Sequence, residues 1–327
     1  MKVLVTGGAG YIGSTIASAL EDNGHIPVVI DSLVTGNPDF VSDKVFYQGD
    51  IGDHDLVEKL LKDHPEIEAV IHCAARIIVP ESTTQPYLYY KENVSKSLDL
   101  FYQLQDHGLN RIVFSSTAAL YKSSDGSIVN EDSYIEPNSP YARTKFAIEM
   151  ALRDFCSAYN LKAITLRYFN PIGADPRMRS GPHIKNPSHI LGKLISVIEG
   201  DDSTFKVAGA NWPTRDGTGI RDYIHVWDLA KAHVLAVEKF DFLLTNENFV
   251  EINLGTGKGT TVLEFIEAFE EVSGTKINQV QSDPRPGDVA GVFASGDKAR
   301  KLLDWVPRMS LEQGMADSLK WVRKNHT

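Results

Sequence analysis

Short apolar runs recur along the first 170 residues, separated by longer stretches in which apolar positions return every three or four residues. The runs are Val3-Leu4-Val5, Val28-Val29-Ile30, Val45-Phe46-Tyr47, Ala69-Val70-Ile71, Ile112-Val113-Phe114 and Ala163-Ile164-Thr165-Leu166. They are β-branched and show no polar alternation, the pattern of strands covered on both faces of a parallel sheet. Between the first two, Ile12, Ile16, Ala19 and Leu20 share one helical face, and Gly24 stands where that helix should stop. Strand and helix in alternation predict an α/β fold with a doubly wound parallel sheet and right-handed crossovers.

Beyond Pro171 the texture changes. Residues 172–220 are rich in Gly, Pro, Asp and Asn with no sustained period, which predicts loops. Helical patterns return at 226–239, 261–273 and 310–325. The expectation is a first domain over 1–171, joined by about 221–249, and a smaller mixed α/β domain over 172–327.

Composition narrows the class. The 327 residues are 42% hydrophobic and 23% charged, as in a globular protein. A formal charge of −10 argues against nucleic acid and anionic membranes as partners. The two cysteines, Cys73 and Cys156, give no disulfide framework, and no apolar run approaches the ~18 residues of a membrane span. With Met1-Lys2 running straight into a strand, the expectation is a soluble cytoplasmic protein.

Thr6-Gly7-Gly8-Ala9-Gly10-Tyr11-Ile12-Gly13 follows the first strand and opens the first helix. A phosphate needs backbone N–H groups with no side chains in the way, and a helix N-terminus presents them along a favourable dipole. Gly7 and Gly8 permit the turn, Gly10 permits close approach of a diphosphate, and Gly13 lets the helix sit on the strand. Asp31 ends the second strand 18 residues later, where a carboxylate accepts from a ribose 2′-OH and repels a 2′-phosphate. No arginine follows it, so NAD is expected over NADP. Asp50-Ile51, ending the third strand, either brackets an adenine or caps the next helix.

Tyr141 and Lys145 lie four residues apart, on one helix face. Tyr87 and Lys91 share that spacing, but only Tyr141 follows Ser139-Pro140, an N-cap and a first-turn proline. Lys145 and the helix dipole are expected to lower the Tyr141 phenol from ~10 toward neutrality. Ser115-Ser116-Thr117 ends the fifth strand, where hydroxyls face the ligand crevice of a doubly wound sheet or cap backbone groups. With the tyrosine and lysine beside it, Thr117 is expected to hydrogen-bond the substrate oxygen that Tyr141 deprotonates.

TGGAGYIG, FSSTAALY, SPYARTK, LRYFNPIGA and GTGIRDYIHVWDLA, in this order and spacing, resemble the extended short-chain dehydrogenase/reductases over nearly the whole chain. Within them the motifs are most similar to the UDP-hexose 4-epimerases. The resemblance implies a Rossmann-type first domain with tightly bound NAD and a C-terminal domain that holds the nucleotide of a UDP-sugar. It implies 4-epimerisation through a transient 4-keto sugar, with Thr117, Tyr141 and Lys145 as the catalytic set. Around NAD it implies Gly7, Gly10, Tyr11, Ile12, Gly13, Asp31, Asp50, Ile51, Asn93, Ser115, Tyr141, Lys145 and Tyr168. Around the UDP-sugar it implies Thr117, Asn170, His189, Arg221, Tyr223, Arg285, Asp288 and Val292.

The departures are informative. Ile77 stands where many members carry a lysine, with Arg76 beside it as a substitute donor; Lys122 and Ala208 stand where a glycine and an aromatic are usual. Val292 either leaves room beside the sugar for an N-acetyl group, extending the activity to the UDP-N-acetylhexosamine pair, or is a packing residue. A dehydratase would need an acid pair after Thr117, where this chain has Ala118-Ala119. A non-catalytic NAD sensor would have no use for the Tyr141, Lys145 and Thr117 set. The resemblance also implies a homodimer through helices at about 84–107 and 141–158, with Leu98, Phe101, Ala147, Met150 and Ala151 as a seam that equally fits packing on the parent sheet.

Overall fold

The computed structural model describes residues 1–122, 126–184, 187–200, 202–284 and 288–325. Seven parallel strands form its central sheet in the spatial order Phe249–Leu254, Lys162–Tyr168, Arg111–Ser115, Ile67–His72, Lys2–Thr6, Ile26–Asp31 and Val45–Gln48. The six apolar runs supply six of these strands. The seventh, Phe249–Leu254, lies outside them and adds to the edge beside Lys162–Tyr168. Strand order reverses at Lys2–Thr6, whose successor pairs on one side and Ile67–His72 on the other. A doubly wound sheet opens its ligand crevice at that point, beyond the carboxyl ends of the strands.

Both sheet faces are covered, which is why the strands lack polar alternation. Val3, Val5, Val29, Ile71, Val113 and Ile164 pack on one face with Ile16, Leu20, Leu229 and Val237. Those partners come from the helices Tyr11–Asp22 and Val226–Glu238. Leu4, Val28, Ile30, Val70, Ile112 and Phe114 face the other side, against Leu60, Leu100, Phe101, Ile148 and Leu152. Val45–Gln48 departs from the expectation of double burial, because it is the last strand and Val45 is exposed. The first helix ends as Gly24 predicts. Gly24 takes φ +77°, and the His25 and Gly24 N–H groups donate to Leu20 and Glu21 carbonyls, both at 2.9 Å.

The segment 172–220, expected as loops, contains the helix Ile190–Ile198 and the strand Phe205–Ala208. The helix is short and carries apolar residues around most of its circumference, so no polar face marked it. Leu191, Leu194, Phe205 and Val207 join Phe265, Phe269, Met315 and Leu319 in a core separate from the sheet. The later helical patterns fold as Val226–Glu238, Val262–Ser273 and Leu311–Asn325. The helix expected over 84–107 is broken. Pro86 starts a new turn, and a π-helical segment, Tyr90–Ser95, precedes Lys96–Asp106.

Candidate active site

The glycines of the first turn have different reasons. A β-carbon at Gly7 (φ +68°) would stand 2.7 Å from the Ala74 nitrogen, and one at Gly8 would stand 2.6 Å from Val29 Cγ1. Both are required by the protein's own packing. Gly10 is not, since its nearest obstacle is the Gly7 oxygen at 3.3 Å. The space it leaves lies at the start of Tyr11–Asp22, a helix with no side-chain cap and no acid in its first turn. Uncapped N–H donors with no side chain over them are the feature a diphosphate requires, so the residues present fit a dinucleotide.

Asp31 sits at the crevice end of its strand and also organises the loop. Its Oδ2 accepts from the Ala9 N–H at 3.0 Å and its Oδ1 from the Leu33 N–H at 2.8 Å. Tyr11 donates its hydroxyl to the Gly173 carbonyl at 2.6 Å, which ties the glycine loop to the chain just after the short strand Asn170–Ile172. Ile12 packs on the sheet core. Asp50 does not cap the following helix; Asp53 does, accepting from Leu56 at 3.1 Å. Asp50 instead accepts from Gly52 and pairs with Lys96 at 2.6 Å, beside the buried Ile51. Asn93, in the π-helical segment, is fully buried and binds both the N–H and the C=O of Arg76, then reaches Thr144 at 3.1 Å. Arg76 pairs with Glu81, and Ile77 beside it is exposed.

Ser139 caps the helix Pro140–Ala158 by accepting from the Ala142 N–H at 3.1 Å. This aims Tyr141, on the first turn, at the end of the fifth strand. Thr117 Oγ1 accepts from the Ala119 N–H at 3.1 Å, leaving its proton for the Tyr141 oxygen. Burial pushes the Tyr141 phenol up to about 12 while the Thr117 hydrogen bond pulls it down. This corrects the expected fall toward neutrality. Lys145 does not act on the phenol here; its ammonium donates to the Ser115 carbonyl at 2.8 Å and lies 4.8 Å from the Phe114 ring. Burial lowers Lys145 to about 8. The Ser115 hydroxyl meets His233 Nε2 at 2.8 Å and Cys73 Sγ at 3.1 Å, and it partly offsets the burial that raises the Tyr168 phenol.

The residues expected around the nucleotide are less concentrated. Asn170 begins a short strand and donates to the Asp222 carbonyl. Arg221 donates to the carbonyls of Ile220 at 2.7 Å and Ala290 at 3.1 Å, so backbone oxygens set its guanidinium. Tyr223 lies in the core separate from the sheet, 4.3 Å from the Phe265 ring. His189 caps the helix Ile190–Ile198 by accepting from Gly192 at 3.2 Å. Asp288 is half-buried, and Arg285 lies outside the described residues.

Val292 is 1% exposed and packs with Ala118, Tyr121, Val129 and Ala294. Sequence reasoning missed Glu149, which lies one turn beyond Lys145 on the same face and is fully buried with Arg167. The repeated spacing of Tyr141, Lys145 and Glu149 was the available signal.

Residues 3–255 match the family described as NAD dependent epimerase/dehydratase. The chain is 40% identical over 324 residues to a UDP-glucose 4-epimerase of Azospirillum brasilense, covering 98% of this chain and 92% of that one. It is 39% identical over 335 residues to a UDP-glucose 4-epimerase of Bacillus subtilis, covering 99% and 98%. Its fold superposes with a TM-score of 0.93, at 40% identity and coverage of 99% and 98%, on UDP-glucose-4-epimerase from Stenotrophomonas maltophila with bound NAD and formylated UDP-arabinopyranose. The enzyme from Bifidobacterium longum, in complex with NAD+ and UDP, gives a TM-score of 0.93 at 34% identity, covering 100% and 99%.

Proposed function

The chain belongs to the NAD dependent epimerase/dehydratase family, and from that premise we infer that it interconverts UDP-galactose and UDP-glucose with NAD as cofactor. The observation that carries the reading is Tyr141, on the first turn of a helix capped by Ser139, beside Thr117 and one turn before a Lys145 fixed on the Ser115 carbonyl.

Tyr141 takes the proton of the sugar 4′-OH as C4′ is oxidised, and returns it when the 4-keto sugar is reduced on its other face. Thr117 donates to the reacting oxygens and stabilises the phenolate. Lys145, anchored on Ser115, holds positive charge at the site. NAD, when bound, would supply the hydride acceptor for oxidation and the donor for reduction. Gly7, Gly10, Tyr11, Ile12, Gly13, Asp31, Asp50, Ile51, Asn93, Ser115 and Tyr168 form its surroundings. Asn170, His189, Arg221, Tyr223, Arg285 and Asp288 serve the nucleotide. The first lobe is residues 1–171 with about 221–249, and the remainder of 172–327 forms the second.

Inversion requires a firm grip on the nucleotide and a loose one on the hexose, which the division into two lobes supports. The dehydratase reading lacks its acid pair, because alanines follow Thr117. The decisive experiment incubates purified protein with UDP-galactose, without added cofactor, and looks for UDP-glucose. Retained NAD with no interconversion of either UDP-hexose would favour a sensor.

A homodimer through the helix Pro140–Ala158 and the broken helical stretch over about 84–107 is supported by the exposed Tyr87, Tyr90, Tyr102 and Met150. Ala147 and Ala151 are half-buried on the same helix, whereas Phe101 is spent on the sheet core. Light scattering that shows a monomer at micromolar concentration would remove the dimer. Among the described residues no helix is long and apolar enough to cross a membrane, and Cys73 and Cys156 are free thiols, which supports a cytoplasmic setting.

A further inference from the structure

Tyr141, Lys145 and Glu149 form one ridge of the helix Pro140–Ala158, and the three residues 115–117 at and just past the end of the fifth strand each lie against one of them. Tyr141 lies by the Thr117 hydroxyl, which pulls its phenol down, Lys145 bonds the Ser115 carbonyl at 2.8 Å, and Glu149 Oε1 accepts from the Ser116 hydroxyl at 2.5 Å. Arg167, on the neighbouring strand, grips the same carboxylate at both oxygens, at 3.0 and 2.6 Å, and donates to the Tyr121 hydroxyl at 2.9 Å. Both charged residues are 1% exposed.

A buried ion pair adds little stability over an apolar pair of the same volume, so stability alone does not account for this one. What it adds is direction. A carboxylate held at both oxygens accepts the Ser116 proton along one line, and Ser116 is fixed further by its N–H on the Leu166 carbonyl at 2.9 Å. We propose that Glu149, clamped by Arg167, is a positioning residue: it holds Ser116, and through it Thr117, in line with Tyr141. The Glu149 charge also offsets part of the burial that lowers Lys145.

This rests on the catalytic reading of Thr117, Tyr141 and Lys145, so wild type and Tyr141→Phe are assayed first. An inactive wild type, or an active Tyr141→Phe, would overturn that reading and leave no doubt which claim failed. Ser116→Ala removes only the hydroxyl and keeps the ion pair. Its kcat should fall roughly tenfold or more, since small misplacements at a reacting centre carry large costs. KM for UDP-galactose, UDP affinity by calorimetry and NAD content should stay at wild-type values.

The double variant Glu149→Gln with Arg167→Met keeps the volume and removes both charges. It should lose kcat and move the alkaline limb of the kcat profile to lower pH, because Lys145 loses its raising partner. The other titratable groups around that ammonium, His72, Cys73, Tyr141 and Tyr168, are unchanged. Ser116→Ala decides by itself if the double variant fails to fold. A kcat within about twofold of wild type in Ser116→Ala, whatever its melting temperature, would overturn the proposal.

Discussion

The β-carbon that Gly13 lacks would stand 2.2 Å from the carbonyl oxygen of Gly7. Neither partner is a flexible side chain, so Gly13→Ala must push the helix off the loop. Gly10→Ala, with its one obstacle at 3.3 Å, needs the Gly7 oxygen to give by only a few tenths of an ångström and fills the space proposed for the diphosphate. Gly13→Ala should lower Tm and emerge without NAD. Gly10→Ala should keep Tm but carry less NAD, measured as nucleotide released on denaturation. Full NAD content in Gly10→Ala would place the cofactor elsewhere.

Tyr141→Phe should fold normally and lose ~10²–10⁴-fold in kcat, the usual worth of a general base. Thr117→Val removes the hydrogen bond that pulls the phenol down. Its Tyr141 pKa therefore rises, and the ascending limb of kcat against pH should move to higher pH. An unmoved limb would mean that Thr117 does not act on the phenol.

Val292→Tyr inserts a ring into the packed cluster of Ala118, Tyr121 and Val129. Overpacking of this kind costs about 1–3 kcal/mol, visible as a lower Tm. Because Ala118 adjoins Thr117, kcat/KM should fall alike for plain and N-acetylated UDP-hexoses. Selective loss of the N-acetyl reaction would restore Val292 to the sugar pocket.

His72 and His233 are buried uncharged. Thr6 meets His72 Nδ1 at 2.7 Å and Ser97 meets its Nε2 at 2.9 Å, while His233 bridges Ser115 and the Leu229 carbonyl. Burial lowers His72 to about 3 and His233 to about 4. In the unfolded chain both titrate near ~6.5, so between there and pH ~4 the unfolded state binds protons that the native state refuses. Stability falls on acidification through that window. Asp222 has the opposite sign, since burial raises it to about 6 and its native form takes the proton first; the net of the three is a loss. Denaturant unfolding at pH 7 and 4.5 should show it, with a slope about one proton shallower in His72→Asn. An unchanged slope in that variant would exclude His72 as a source.

Local physics was legible in the sequence. The apolar runs became strands because strands covered on both faces need continuous apolar residues. Gly24 ended its helix, and Ser139-Pro140 began one, because caps depend on a few neighbouring residues. The spacing of Tyr141 and Lys145 set them on one face for the same reason. Tertiary structure decided what those side chains meet. Ser116 and Arg167 reach Glu149 from 33 and 18 residues away, and Lys96 reaches Asp50 across 46. Burial by distant elements sent Tyr141 up rather than down, enclosed Val292 in an apolar cluster and turned Tyr223 into the second core. Periodicity and capping are properties of adjacent residues, whereas desolvation and charge pairing belong to atoms that only folding brings together.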